Sequence, residues 1–328
     1  MKKMIKNLIK QKNDNKIIFT AGPASIIDSN IINLGPCFGR GDNEYNKTYN
    51  SVIKKLKKIS GLKKIITTQG SGSTALEIVA LNFLKGKILI VSTGYYSDRL
   101  FQISNLIKKN NKKIKSVTKV NWKSLNKIKG KYDWIWACST ETSRGLKIPI
   151  TDLKQLTRRT KSKLALDATA SIGLESNHHL ADVISFSSCK GLFGLTGACF
   201  VCYNINPTNK VNTFVLDIKN LEQKRMTGPY HTIQSLEKVL QKYNYYKKSV
   251  VQNKKKMIRK FKDYLVYPKK NQPFLCTYVN KKIISNSSKV ILYKPRIKIS
   301  GSIVCHIGEA HLGKNAKGKI INFLDIDE

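Results

Sequence analysis

The chain has 328 residues, 41% of them hydrophobic, and a formal net charge of +40 at pH 7. That length supports a sizeable core and, as a prior, one large domain with a smaller one beside it. No apolar run approaches the roughly 18 residues a membrane helix requires, and the basic lead-in of residues 1–16 lacks the apolar core of a secretory signal, so we expect there an amphipathic turn or two.

After the lead-in, short strand-like runs alternate with helical patterns. Ile17–Thr20 reads as a strand ending in a Gly-Pro turn, Lys54–Ile59 as part of a helix, and Lys64–Thr68 as a strand. Gln69-Gly-Ser-Gly-Ser-Thr-Ala75 follows, and Thr74–Leu84 carries helical apolar spacing. Glycines between a strand and a helix let the backbone turn sharply toward a ligand, and free N–H groups at the helix start suit a phosphate. The loop lacks the Gly-Lys-Ser/Thr of a P-loop. It matches G-x-G-x-x-A, but the next strand ends in Ser92 and Thr93 rather than the acidic residue a dinucleotide site uses. A phosphate cup for another ligand and a plain glycine-rich turn remain open.

Lys87–Ser92, Trp134–Cys138, Lys163–Leu166, Val183–Ser187 and Ala198–Tyr203 read as further strands. Asp167 ends the run LALD, where a carboxylate points into the crevice at the carboxyl ends of parallel strands or simply caps a helix. Lys190 follows the apolar run VISFSSC and precedes Gly191, Gly194 and Gly197. Glycines leave room there for a bulky ring, and partial burial favours the free amine that an imine needs. The alternative is a lysine whose stem merely covers apolar surface. Tyr243–Asp263 reads as a long helix, and the rest as a small α+β unit. The alternation predicts an α/β large domain over 17–242 with a mostly parallel sheet, and a smaller C-terminal domain over 243–328.

Sixty basic against 20 acidic residues could form a nucleic-acid footprint. Lysine is spread along the whole chain with abundant Asn and Ile, however, and no RNP strand or zinc-finger spacing occurs. We read a compositional bias whose positive field gathers anionic substrates. Seven scattered cysteines suit a reducing cytoplasm. Cys199 and Cys202 form a CxxC within a strand, which turns them to opposite faces and rules out a shared metal.

A phosphate cup, a strand-end carboxylate and a semi-buried lysine are together what pyridoxal phosphate asks of a protein. Their order and surroundings carry a resemblance. Phe19–Pro23, Gln69–Glu77, Val91–Arg99, Glu141–Ile150, Leu166–Gly173, Ser188–Gly191, Thr227–Thr232 and His306–Glu309 fall in the order seen in class V (fold type I) aminotransferases. The chain resembles in particular the branch that moves the amino group of 2-aminoethylphosphonate to pyruvate.

The resemblance implies that Ser71, Gly72 and Ser73 hold the cofactor phosphate, and that Tyr96 stacks on the pyridine ring. Thr142 would bond near the ring hydroxyl and Asp167 would pair with the ring nitrogen. Lys190 would hold the cofactor as an imine and shuttle the proton. Thr232 would reach the phosphate of a neighbouring subunit in a homodimer with shared sites. Departures concern the substrate. The family's substrate-gripping arginine falls at Ile303, Arg144 stands where threonine is usual, and Cys189 precedes the lysine. Arg144, Arg296 and Arg40 are the candidate replacements for the lost arginine. A lyase or desulfurase with the same cofactor, or a basic nucleic-acid-binding protein with a decayed site, are the rival readings.

Overall fold

The computed structural model describes residues 2–24, 28–32, 34–36, 39–110, 112–224, 228–308 and 320–327. Cys37, Thr227 and Glu309 lie outside the described residues, as does the side chain of Arg40. The lead-in forms a single helix, α1 (Lys2–Asp14), longer than the turn or two expected. Ile5 and Ile9, one turn apart, are half-buried while Lys3, Lys6, Lys10 and Lys12 stay exposed.

Strand β1 (Ile17–Phe19) and a one-turn helix α2 (Asp28–Ile31) lead to α3 (Asn43–Ser60). The bounds of α3 follow from local chemistry. The Asp42 side chain accepts the Glu44 N–H at its start, and Tyr45, Val52 and Leu56 recur at helical spacing to reach the core. At its end Gly61 takes a φ of 73° and donates to the Lys57 carbonyl.

The central layer follows in chain order: β2 (Lys64–Gln69), α4 (Gly72–Phe83), β3 (Gly86–Ser92), α5 (Tyr95–Asn110), β4 (Ile114–Asn121) and β5 (Trp134–Cys138). A short hairpin of β6 (Thr140–Glu141) and β7 (Leu146–Lys147) precedes α6 (Ile150–Thr160). Then come β8 (Lys163–Asp167), β9 (Val183–Ser187) and β10 (Ala198–Tyr203). The seven long strands form one sheet in the order β2-β10-β9-β8-β5-β3-β4. Only β10 is antiparallel to its neighbours.

Strand residues alternate between two apolar layers. Leu89, Val91, Ile135, Leu164, Leu166, Ile184 and Phe200 pack with α3 and α6 on one face. Ile88, Ile90, Trp134, Trp136, Ala165, Val183 and Val201 pack with α4 and α5 on the other. Burial on both faces explains why these strands read as continuous apolar runs. Cys202 belongs to the first layer and Cys199 to the second, so the CxxC is divided between two cores as its strand spacing predicts.

Helices α7 (Ile218–Lys224), α8 (Tyr230–Gln241) and α9 (Tyr243–Lys260) lead out of the sheet layer. The long helix read over Tyr243–Asp263 ends at Lys260 and gives way to a 3-10 turn at Lys262–Tyr264. Beyond it lie β11 (Cys276–Val279), β12 (Ile283–Ile284), β13 (Val290–Leu292), β14 (Ser302–Cys305) and β15 (Asp325–Ile326). They pair as β11–β14 and β12–β15, while β13 runs parallel to β1. The strand after the lead-in thus packs with the C-terminal region. Among the described residues no helix is long and apolar enough to cross a membrane, and no cluster could hold a metal.

Candidate active site

Parallel strands end at one edge of the sheet, and the chemistry-bearing residues gather there. Asp167 closes β8 beside Cys138 of β5 and Ser185 of β9. Its carboxylate is 5% exposed, and Oδ1 accepts the Thr169 N–H at 2.9 Å. The other oxygen has no hydrogen-bond donor among the described residues. Asp167 does brace the turn that follows it, as the capping alternative requires, yet half of its accepting capacity is left over.

Lys190 stands just beyond β9 on the next strand over. Its stem packs against Gly22, where an added Cβ would sit 2.9 Å from Lys190 Cγ. Gly22 also has a φ of 118°, so the Thr-Ala-Gly-Pro turn needs glycine there for space and for conformation. Lys190 Nζ lies 5.3 Å from the centroid of the Tyr96 ring. The segment after the lysine folds back through Gly194, whose N–H donates to the Ser188 carbonyl.

The glycine loop becomes the head of α4. Ser71 is its N-cap: the hydroxyl accepts the Ser73 N–H at 3.2 Å, and the Ser71 N–H donates to Thr74 Oγ1 at 3.3 Å. The Gly72 N–H has no acceptor among the described residues. A Cβ on Gly72 would lie 3.0 Å from Thr169 Oγ1, so the cup and the Asp167 turn are in near contact. Arg99 donates to Ser73 Oγ at 2.9 Å, bringing a cation to the cup.

Tyr96 is fixed by a residue to which sequence reasoning gave no role. Glu141 is fully buried and accepts from the backbone N–H groups of Tyr96 (3.0 Å), Ser97 (3.2 Å) and Ser143 (3.1 Å). Its Oε1 also receives the Ser143 hydroxyl at 2.5 Å. Burial pushes this carboxyl above its ordinary range, and the Ser143, Ser97 and Tyr96 donors pull back against that. A carboxylate at the first turn of α5 also suits the helix dipole. The signal available in sequence was an acidic residue three positions past the end of the wholly apolar run WIWAC, after Ser139 and Thr140.

Thr142 is fully buried beside Tyr293, and neither hydroxyl makes a hydrogen bond of ordinary geometry. Thr232 donates to the Thr196 carbonyl at 3.1 Å, and Gly197, the next residue, accepts from the Gly70 N–H at 3.1 Å. Thr232 is therefore one loop away from the cup of its own chain.

The substrate candidates separate. Arg296 lies on the loop before β14 with its guanidinium carbon 5.5 Å from the Tyr95 ring, next door to Tyr96. Arg144 is exposed, and its charge acts on Tyr267. Ile303 is 2% exposed within an apolar cluster, so the position where an arginine was expected is filled by hydrocarbon. Five of the six described cysteines are buried, and Cys189 immediately precedes Lys190, so no described thiol sits on a loop above the crevice as a desulfurase would need.

The residues present fit pyridoxal phosphate. An orphaned hydroxyl at Thr142, a carboxylate with a spare oxygen, a helix head with an unpaired N–H and a lysine amine over a tyrosine ring each lack a partner that this group supplies.

Comparison with known proteins accords with that inventory. The profile of the family "Aminotransferase class-V" matches residues 42–230. A 2-aminoethylphosphonate–pyruvate transaminase of Pseudomonas aeruginosa is 24% identical over 251 residues, covering 69% of this chain and 68% of that one. In fold the chain is similar to an alanine–glyoxylate aminotransferase from Nostoc (TM-score 0.76, 17% identity, 94% of this chain and 92% of that one). It is also similar to an aspartate aminotransferase from Thermus thermophilus (TM-score 0.79, 13% identity, 93% and 97%). The chain belongs to the class-V aminotransferase family, a fold type I enzyme that transfers amino groups with pyridoxal phosphate.

Proposed function

We propose that this aminotransferase takes the amino group of a small anionic amine, with 2-aminoethylphosphonate as first choice, and delivers it to a 2-oxo acid such as pyruvate. The observation that carries the reading is the meeting of Lys190, the Tyr96 ring and Asp167 at neighbouring strand ends. Bound pyridoxal phosphate supplies a carbonyl that condenses with amines and a ring that draws electrons from the bond to be broken.

The chain's own residues divide the remaining work. Asp167 holds a proton at the ring nitrogen, since a poorly exposed carboxylate favours a cationic donor beside it. Ser71, Gly72 and Ser73 bind the phosphate through hydroxyls and the unpaired N–H at the head of α4. Tyr96, fixed by Glu141, would stack on the ring, and Thr142 would offer its hydroxyl to a ring substituent. Lys190 bonds the cofactor at rest. With its amine free, Lys190 would act as the base that takes up the proton of the substrate carbon and returns it.

In this reading the working unit is a homodimer in the cytoplasm. An open hollow of about 560 Å³ between Gln69–Gly70 and Gly228–Thr232 gives a second subunit room beside the cup, and Thr232 would meet the neighbour's phosphate through it. The described cysteines are all free, which suits a reducing compartment.

Spectra and labelling test this reading. Purified protein incubated with pyridoxal phosphate should turn yellow and bleach on borohydride reduction, with the label on Lys190. With 2-aminoethylphosphonate and pyruvate it should then form alanine. Failure to take up the cofactor, or a label on another lysine, removes the assignment.

A further inference from the structure

Behind the β6–β7 hairpin lies a hollow of about 250 Å³ that the chemistry described so far does not use. Thr140 and Lys147 are partners across the hairpin ladder and both line it, whereas the next pair, Glu141 with Leu146, turns to the opposite face. Thr140 is 1% exposed, and its hydroxyl has no hydrogen-bond partner among the described residues. The head of α6 forms another wall through Ile150 and Thr151. Pro149 stands at the cap position with no side-chain bond to the helix, and neither the Ile150 nor the Thr151 N–H has an acceptor among the described residues. Two lysines complete the lining. Lys147 pairs with Glu175 at 3.1 Å, and the other oxygen of that carboxylate accepts the Phe274 N–H at 2.6 Å. Lys270 makes no ion pair among the described residues. Its neighbour Asn271 ties that segment to β7 by donating to the Lys147 carbonyl at 2.9 Å. Asp152, the acidic residue in the first turn of α6, lines the adjoining hollow beside Trp122 and Arg159.

We infer that this hollow is a seat for a small free oxyanion, a carboxylate or inorganic phosphate, which braces the hairpin from the side opposite Glu141. The charge balance selects the sign. Lys147 and Glu175 cancel, so Lys270 and the positive end of the α6 dipole are left uncompensated. The donors select the class: a buried hydroxyl, two open N–H groups and an ammonium converge, and an oxyanion accepts from all of them. It also supplies the partner that the Thr140 hydroxyl lacks. Both oxygens of Glu175 are engaged, so the hollow has no spare carboxylate for an ammonium, and an amine is not its ligand. Neither Lys190 nor the Ser71–Ser73 cup lines it, which sets it apart from the crevice. Its link to the reaction runs along one strand: Thr140 adjoins Glu141, whose carboxylate holds the Tyr96 and Ser97 N–H groups. The site goes beyond the aminotransferase reading and does not depend on which amine is the donor.

Calorimetric titration of borohydride-reduced holoenzyme, in which Lys190 is blocked, tests the site with acetate and with phosphate at constant ionic strength. Saturable binding is expected for one or both, and the tighter of the two names the source of the oxyanion. Thr140→Val and Lys270→Gln should each weaken it about tenfold, the scale of a lost charge-assisted bond. Lys3→Gln, which removes an equal charge from α1, should leave it unchanged. Without anion the Thr140→Val protein should melt no lower than wild type, since valine removes an unpaired buried hydroxyl. In unreduced holoenzyme, saturating anion should slow loss of the cofactor on the order of fivefold in wild type, and in neither hollow variant. Binding that Lys3→Gln weakens as much as Lys270→Gln does reports only screening of a chain of charge +40 and overturns the proposal. So does affinity unchanged in both hollow variants, or cofactor loss that the anion slows equally in wild type and in Lys270→Gln. Labelling at Lys190 is independent of all these outcomes, so failure here and failure of the aminotransferase reading are told apart.

Discussion

At the floor of the crevice Asp167 is locked by the Thr169 N–H and by strand neighbours on both sides, and Lys190 leans on Gly22. At the rim Arg296 is exposed on a loop before β14, and Arg99 sits half-buried on the first turns of α5. The floor is built by the sheet, so its geometry follows from strand register and tolerates little change. The rim is assembled from elements far apart in sequence and can be altered without touching the core. In the proposed reading, that division lets one fold keep a reaction while its substrates vary, with proton transfer placed at strand ends and substrate charge read where loops meet.

The largest test of this contrast is Asp167→Asn. The amide still accepts from Thr169, so folding and cofactor uptake should persist while turnover falls on the order of a hundredfold, the scale of a lost general acid–base contribution. Turnover near the wild-type value would reduce Asp167 to a cap and move the chemistry away from the floor.

Next comes Glu141, which joins floor to rim by holding α5 and Tyr96. Glu141→Ala buries several N–H groups without acceptors, at about 1–3 kcal/mol for each one left unpaired. It should lower the melting temperature markedly and weaken cofactor retention. Glu141→Gln keeps an acceptor and should lose less. The sign of the pH effect follows from the raised carboxyl. The neutral form is the one favoured in the fold, so its stabilisation is present below the ordinary carboxyl pKa and is lost as pH rises through the raised value. The stability gap between wild type and Glu141→Gln should therefore narrow as pH rises above the ordinary carboxyl pKa of about 4.3. A gap that widens would mean the carboxylate is stabilised by its donors after all.

A smaller effect lies beneath the floor. Ser139 donates to Ser171, and Ser171 meets His178 Nε2 at 2.9 Å. Burial, then the charges of Lys247 and His179, lower His178 to about 4. The histidine is neutral in the fold and titrates near its ordinary value when unfolded, so it takes stability away as pH falls from about 6.5 toward 4. Replacing His178 with glutamine should flatten the acid limb of a melting-temperature profile. An unchanged limb would assign that slope to other groups, among them His306, which burial lowers to about 3.

How much of this was legible in sequence differs between floor and rim for the same reason. Strand-end residues announce themselves through apolar runs, so the places of Asp167 and Lys190 at strand ends and of Ser71–Ser73 at a helix head were readable, and most strand bounds fell within a residue or two. The edge strand Ile114–Asn121 was not readable, because IKSVTKVN is half polar and mostly outside the core. Helix α5 was hidden because its buried residues include Ser97 and Ser104, polar groups satisfied within the helix turn. The rim depends on tertiary proximity between residues some two hundred positions apart, as with Arg99 and Arg296 about the Tyr95 ring. No periodicity or spacing encodes such a meeting, and sequence ties Arg144 to the cofactor segment only through its neighbour Thr142.

Arg144 therefore supplies the finest discrimination between reading the rim from sequence and reading it from geometry. It follows Ser143, whose hydroxyl is consumed by Glu141, and its own N–H donates to the Glu141 carbonyl at 3.3 Å, closing a tight turn. Its side chain is exposed, and its charge acts on Tyr267. An exposed arginine without a fixed partner contributes about 0–1 kcal/mol, so Arg144→Gln should change kcat/KM for the anionic amine by no more than about fivefold. Arg296→Gln should cost more, and mainly in KM, because its cation is placed to bind the substrate in the ground state as well as during the reaction. Steady-state kinetics of the two variants with the same donor and acceptor decide the matter. If Arg144→Gln raises KM more than Arg296→Gln does, the hairpin of β6 and β7 rather than the loop before β14 is the element that reads the substrate's charge.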